Sequence, residues 1–223
     1  MWNEDEYEEL LLKPRKGSLC FIYGDEKSGK TSYCLMVSSS VLKDGGSVVW
    51  VDCGARLSLT RVEQVLSANN APPDKLYITS PMDFDSQEKS IVNIVSFPPK
   101  GLGLIVCDDF TYLHRIAISG NPRVDLPIYK RLAFQVALLK ETCLNSGVAC
   151  ILVGHVREKP EKDGREPVAS RIITYWADVV LNFVKTDSGR VLRVEKPDVE
   201  RREHKFEIID AGLRIFTYPS LDR

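Results

Sequence analysis

Gly24-Asp25-Glu26-Lys27-Ser28-Gly29-Lys30-Thr31 satisfies the pattern G-x-x-x-x-G-K-[ST] at every specified position, and its surroundings decide the fold. Upstream, residues 18–23 (SLCFIY) form an apolar run of strand length. Downstream, residues 31–42 have helical character and stop at the Asp44-Gly45-Gly46 turn. A strand, a glycine-rich turn and a helix start, in that order, aim backbone N–H groups and the positive end of a helix dipole at an anion. In this arrangement Lys30 reaches the outer phosphates of a nucleotide and the Thr31 hydroxyl ligates Mg²⁺. ATP and Mg²⁺ are therefore the expected ligands, cradled by Gly24, Asp25, Glu26, Lys27, Ser28, Gly29, Lys30 and Thr31. Two acids in such a loop are tolerable if they face outward, and Lys27 offsets part of their charge.

Working outward, further strand-length apolar runs occupy 47–52, 75–79, 102–107 and 148–153. The segments 59–68, 86–97 and 125–145 between them have helical or mixed character. Strands separated by helix-length segments imply right-handed crossovers and a parallel sheet covered on both faces. After residue 176 the pattern changes to short alternating strands at 179–185, 190–196, 205–210 and 214–216, joined by hairpin signals at 186–189 and 211–212. The expected fold class is α/β: a mainly parallel sheet with helices on both faces and an antiparallel C-terminal extension. Residues 1–15 read as an acidic segment and 16–223 as one core domain.

The chain has 223 residues, 43% of them hydrophobic, and a net charge of −1. Disordered, collagenous and coiled-coil classes do not fit this composition. The longest apolar runs fall far short of a bilayer span of about 18 residues. Residues 1–10 carry five acids and no base, which is no secretory signal. Without those ten residues the remainder carries +4, so the excess of acid is local. Six cysteines show neither C-x-x-C nor zinc spacing, and four lie in or beside apolar runs. These features point to a reducing, cytoplasmic setting.

The second half of the site is Leu104-Ile105-Val106-Cys107-Asp108-Asp109. A buried strand ending in an acid sets that carboxylate at the carboxyl edge of the sheet, where open α/β folds bind ligands. Asp108 is the candidate second metal ligand.

With these parts in order, the chain resembles the RecA/RadA recombinase ATPases, and in particular the archaeal single-domain RadA paralogues. The resemblance spans about residues 16–217. It rests on the phosphate loop, the 102–108 strand, the long segment before the long helix, the strand at 148–153, Ala177-Asp178-Val179-Val180-Leu181, and Glu195-Lys196-Pro197 before the closing hairpin. It implies a RecA-like core and a weak DNA-linked ATPase acting in homologous recombination or repair. The implied partners are single-stranded DNA and a full-length RadA recombinase or other repair proteins. It also implies that loops 110–125 and 156–167 line a nucleic-acid path. The first holds Tyr112, His114, Arg115 and Arg123 without an acid from 111 to 123, which suits stacking and phosphate contact. The second holds Arg157, Lys159, Lys162 and Arg165 interleaved with four acids.

Two departures stand out. Where the family has a water-activating Glu, this chain reads Asp52-Cys53-Gly54-Ala55, so Gly54 supplies no carboxylate and Asp109 is the available substitute. The polar signal after the fifth strand is Gly154-His155, with His155 able to donate to a γ-phosphate. Residues 1–15 lack the Phe-x-x-Ala sequence that links recombinase subunits, while Trp2, Tyr7 and 10–12 offer apolar docking groups. Two other functions remain open on sequence. One is a KaiC-like regulatory ATP-binding module acting through protein partners. The other is a small-molecule kinase with Arg157, Arg165 and Arg171 as a phosphate-clamping lid.

Overall fold

A computed structural model describes residues 11, 13, 15–158, 165–167, 169–197 and 203–216. The chain opens in the middle of its sheet. β1 (Leu19–Gly24) passes through the phosphate loop into α1 (Lys30–Lys43), then β2 (Ser47–Asp52), α2 (Leu59–Ala68) and β3 (Leu76–Thr79). α3 (Phe84–Ser96), β4 (Leu102–Asp108), α4 (Tyr112–Ala117), α5 (Pro122–Ser146) and β5 (Ala149–Glu158) follow. β6 (Arg165–Pro167), α6 (Ser170–Trp176), β7 (Val179–Thr186), β8 (Gly189–Lys196), β9 (Glu203–Ile209) and β10 (Gly212–Phe216) complete it.

The strand order is β10-β9-β8-β7-β1-β5-β4-β2-β3. From β7 to β3 every pairing is parallel; from β7 to β10 every pairing is antiparallel. The mixed α/β sheet expected from sequence is thus present, with one refinement. β7 runs parallel beside β1, so the antiparallel extension begins at β8 rather than β7. Its hairpin-like sequence reports its partner β8, whereas its central position is set by the other edge.

Alternation along each central strand feeds two cores. Cys20, Ile22, Val48, Trp50, Leu104 and Val106 face one layer, with α1 and α2. Leu19, Phe21, Val51, Ile105 and Cys107 face the other, with α3, α5 and α6. Trp50 is fully buried, and truncating such a side chain costs about 3–5 kcal/mol. All six cysteines are buried free thiols, small hydrophobes of the two cores. Leu11 also packs into the first core, so that member of the apolar 10–12 trio is taken up internally. Trp2, Tyr7 and the acidic decapeptide lie outside the described residues.

Two helices place the site. α5 starts at Asn121, whose side chain accepts from the Arg123 N–H at 3.1 Å, and ends at Gly147 in the left-handed region (φ 67°). α2 anchors the C-terminal hairpin: Arg61 donates to the Ile209 carbonyl at 2.7 Å, and Asn69 to the Ala211 carbonyl at 2.8 Å. The extension is thereby held over the first turn of α1. No helix among the described residues is long and apolar enough to cross a membrane.

Candidate functional site

All the parallel strands present their carboxyl ends to the same edge, where register sets the chemistry side by side. Gly24 is opposite His155, and Asp52 is opposite Asp108. A cleft of about 420 Å³ opens along this edge, lined by the phosphate loop, Asp52, Gly54, Asp108, Asp109 and His155 among others.

The loop geometry is dictated by close packing. A Cβ on Gly24 would lie 2.1 Å from the Phe183 carbonyl oxygen of β7, so only glycine lets the loop leave β1 there. Lys27 (φ 59°) and Gly29 (φ 112°) adopt left-handed conformations that curl the backbone, the kind of turn that gathers N–H groups into an anion-binding concavity. Of the two loop acids only Glu26 faces outward as the sequence required; Asp25 is half-buried. Asp25 is directed toward the Lys185 N–H of β7 at 3.5 Å, and Glu26 is exposed at the rim.

Lys30 is buried and donates to the carbonyls of Gly24 (2.9 Å) and Asp25 (2.6 Å). Burial lowers its pKa, opposed by the carboxylates of Asp108, Asp109 and Asp25. The Thr31 hydroxyl donates to Asp108 Oδ2 at 2.7 Å across the cleft floor. Burial pushes the Asp108 carboxyl up to about 6, against the Thr31 hydrogen bond and the Lys30 charge. A hydroxyl and a carboxylate converging beside a phosphate loop form the hard-oxygen set that suits Mg²⁺. Bound there, the ion would neutralise phosphate charge; Thr31 and Asp108 are the residues that would hold it.

The neighbouring acid is differently engaged. Asp109 is buried; its Oδ1 accepts from the Thr111 N–H (3.1 Å) and hydroxyl (2.9 Å). Its Oδ2 lies 3.2 Å from His155 Nε2 and 3.8 Å from Arg115. Burial lowers the His155 pKa, and Lys30, Arg115 and Arg56 push the same way while Asp109 opposes them. Gly154-His155 lies within β5, which runs on to Glu158 rather than stopping at residue 153 as expected. Gly54 lines the cleft with no side chain to offer.

The segment 110–125 contains a helix, α4, where the sequence suggested a loop. Its first turn brings Tyr112 to the cleft and Arg115 to Asp109. The Tyr112 ring carries two guanidiniums, Arg56 at 5.1 Å and Arg115 at 5.7 Å from its centroid. His114 is fully buried between Phe84 and Tyr129, and desolvation lowers its pKa to about 4, so it adds no positive charge at neutral pH. Arg123 is exposed at the start of α5. Within 156–167, where the sequence suggested a loop, residues 156–158 pair antiparallel with 165–167, setting Arg157 opposite Glu166 and Glu158 opposite Arg165. Arg157 and Arg165 are placed there by backbone alone. Lys159 and Lys162 lie outside the described residues.

Sequence reasoning missed Arg56, Arg190 and Ile208, all of which line the cleft. Arg56 follows directly from the β2 turn, where Asp52 accepts from the Arg56 and Leu57 N–H groups at 3.1 and 3.0 Å. Its position two residues after Gly54 was a readable signal. Arg190 and Ile208 arrive through the antiparallel extension, a juxtaposition no local motif encodes.

No protein-family model matches the chain. Among curated proteins it is similar to the DNA repair and recombination protein RadB of Methanocaldococcus jannaschii, 29% identical over 210 residues, covering 93% of this chain and 98% of the relative. The protein of the same description from Methanococcus maripaludis is 28% identical over 213 residues, covering 93% and 97%. A solved structure described as that of the RadB recombinase superposes with a TM-score of 0.71, covers 89% of this chain and 90% of its own, and is 22% identical. The order of the motifs, the sheet topology and this similarity agree: the chain is RadB-like over nearly its whole length and resembles the archaeal paralogues of the RecA/RadA recombinases.

Proposed function

We propose that the chain binds ATP with Mg²⁺, hydrolyses it slowly and acts on single-stranded DNA in recombination or repair. The observation that carries the nucleotide half is the 2.7 Å contact between Thr31 and Asp108, which joins the phosphate loop to the end of β4 as one metal-binding unit. Slow hydrolysis follows from the base. Gly54 has no carboxylate, and the alternative, Asp109, is buried, with its Oδ1 held by Thr111 and its Oδ2 3.2 Å from His155 rather than facing water. Loss of a general base costs about 10²–10⁴ in rate. Lys30 holds the outer phosphates, and His155 donates to them when protonated, a state that Asp109 beside it favours.

The DNA half is supported by the description of the relatives and by cations beyond the cleft. Arg123 at the α5 start, and the basic residues of the sequence between 157 and 165, would contact phosphates without reading sequence. Tyr112 and Arg115 connect that surface to the cleft through α4. A protein partner is the second reading, supported by exposed apolar side chains at the same corner: Ile116, Val124 and Leu126.

The test is retention of labelled single-stranded and duplex DNA, with and without MgATP, over a salt series. Preferential single-strand binding that weakens with salt is expected. No binding at low salt, with MgATP bound normally, would leave the regulatory module acting through partners as the better reading.

A further inference from the structure

Past the Thr31–Asp108 pair, the cleft opens into a side chamber of about 330 Å³ lined by Glu26, Arg56, Arg115 and His155. Glu26, Arg56 and His155 border both spaces, so the chamber is continuous with the nucleotide cleft on its Asp109–His155 side. Three of its four lining residues are cationic or protonatable. Glu26, the exception, is exposed at the rim, where solvent screens it.

The two arginines come from different elements, the β2–α2 turn and α4, yet both guanidiniums rest against the Tyr112 ring. An aromatic face holds a guanidinium without neutralising it. Arg115 has Asp109 at 3.8 Å, while among the described residues no carboxylate forms an ion pair with Arg56. Gly54 accounts for this. A Cβ there would lie 3.6 Å from Arg56 Cγ and Cδ and 3.9 Å from its Nε, an ordinary contact distance on unstrained backbone. A glutamate at 54 would therefore fit, and would set its carboxylate against the Arg56 guanidinium.

We propose that Arg56 and Arg115 form a terminal-phosphate clamp supplied within the chain, which selects a nucleoside triphosphate over a diphosphate, and that Gly54 keeps Arg56 available for it. The inference rests on the reading of the phosphate loop as a nucleotide site. A polyphosphate seated on Lys30 and Thr31 points its distal end toward this chamber. Planar guanidiniums grip phosphate oxygens through paired, charge-assisted hydrogen bonds. A diphosphate ends at the loop and does not reach them. With no carboxylate at position 54, this corner of the cleft is left to hold phosphate.

Titration of Mg-AMP-PNP and Mg-ADP into the full chain tests this, with Arg56→Ala, Arg56→Lys, Arg115→Ala and Gly54→Glu compared by thermal melt for folding. AMP-PNP affinity should fall roughly tenfold in each alanine variant, as expected when one charge-assisted hydrogen bond is removed. ADP affinity should stay within about twofold, since its phosphates end at the loop. Arg56→Lys should fall between, and Gly54→Glu should behave like Arg56→Ala. An unchanged AMP-PNP to ADP affinity ratio in both alanine variants would overturn the clamp, as would parallel loss of both nucleotides. A parent that binds neither nucleotide would remove the phosphate-loop reading and the clamp with it; a parent that binds both, with variants of unchanged ratio, would remove the clamp alone.

Discussion

The two ends of the nucleotide cleft differ in kind. At one end sit the candidate phosphate and metal residues Lys30, Thr31 and Asp108, each buried or half-buried, with Lys30 held by the loop carbonyls and Thr31 bonded to Asp108. At the other end Gly54 is bare, Asp109 is buried with its Oδ1 held by Thr111 and its Oδ2 near His155 and Arg115, and two arginines rest on one tyrosine. A cleft built to turn over quickly needs a carboxylate with a free lone pair facing water beside the terminal phosphate. This one concentrates positive charge there instead. The contrast separates holding a nucleotide from cleaving it, two properties that a shared motif set leaves merged.

The comparison breaks most readily at the binding end. Lys30→Ala should abolish ATP-dependent thermal stabilisation, worth about 2.7 kcal/mol when ligand is at 100 times Kd. Persistence of the full shift would mean that the loop is not where ATP binds.

The catalytic end offers the next largest effect. Gly54→Glu alone should raise turnover little, because Arg56 would capture the new carboxylate. Gly54→Glu with Arg56→Ala should raise it by one or more decades, within the ~10²–10⁴ that general bases contribute. A single Gly54→Glu change that restores fast hydrolysis would show that Arg56 does not interfere.

A smaller effect sharpens the electrostatics of Asp108. Its carboxyl is pushed from 3.8 up to about 6 by burial. Between those values the folded protein keeps a proton that the unfolded chain has released, so this group makes stability fall as pH rises through the window. The metal-free Asp108→Asn variant should therefore melt above the parent at pH 7.5, by ~2–4 °C per kcal/mol relieved in a chain of this size. The gain should shrink toward pH 4. Magnesium-dependent nucleotide affinity of the parent should drop as pH falls below about 6, because Mg²⁺ needs the ionised oxygen. Equal melting points across the range would contradict the burial of that charge.

How much of this was legible in sequence follows the range of the interactions. The phosphate loop and the β4 carboxylate are local patterns, and both appear where the residues put them. The parallel core followed from strand and helix spacing, which fixes crossovers. The partnering of β7 with β1 did not, because alternation reports a strand's faces and not its neighbour. Segment 110–125 lacks the length and periodicity of an ordinary helix, so the six-residue α4 was invisible, and with it the placement of Tyr112 and Arg115 at the cleft. His114 read as one more base in a basic segment; its burial between Phe84 and Tyr129 depends on helices distant in sequence. Arg190 reaches the cleft through the pairing of β8 with β7, and Ile208 through the terminal hairpin that Arg61 and Asn69 hold.

The smallest expected effect lies outside the cleft. Arg123→Glu should leave nucleotide binding intact and weaken single-stranded DNA retention, lowering the salt slope by about one, the share of a single neutralised phosphate. Unchanged DNA retention would move the nucleic-acid surface elsewhere and favour a protein partner at the Ile116, Val124 and Leu126 corner.

The most direct measurement is a single-turnover experiment with excess chain, Mg²⁺ and γ-labelled ATP, reading bound and cleaved nucleotide from the same samples. The expected result is saturable binding with the label recovered largely as intact ATP, and cleavage slower still in Asp109→Asn. Rapid release of labelled phosphate by the unmutated chain, unaffected by Asp109→Asn, would contradict the separation of a binding end from a catalytically depleted one.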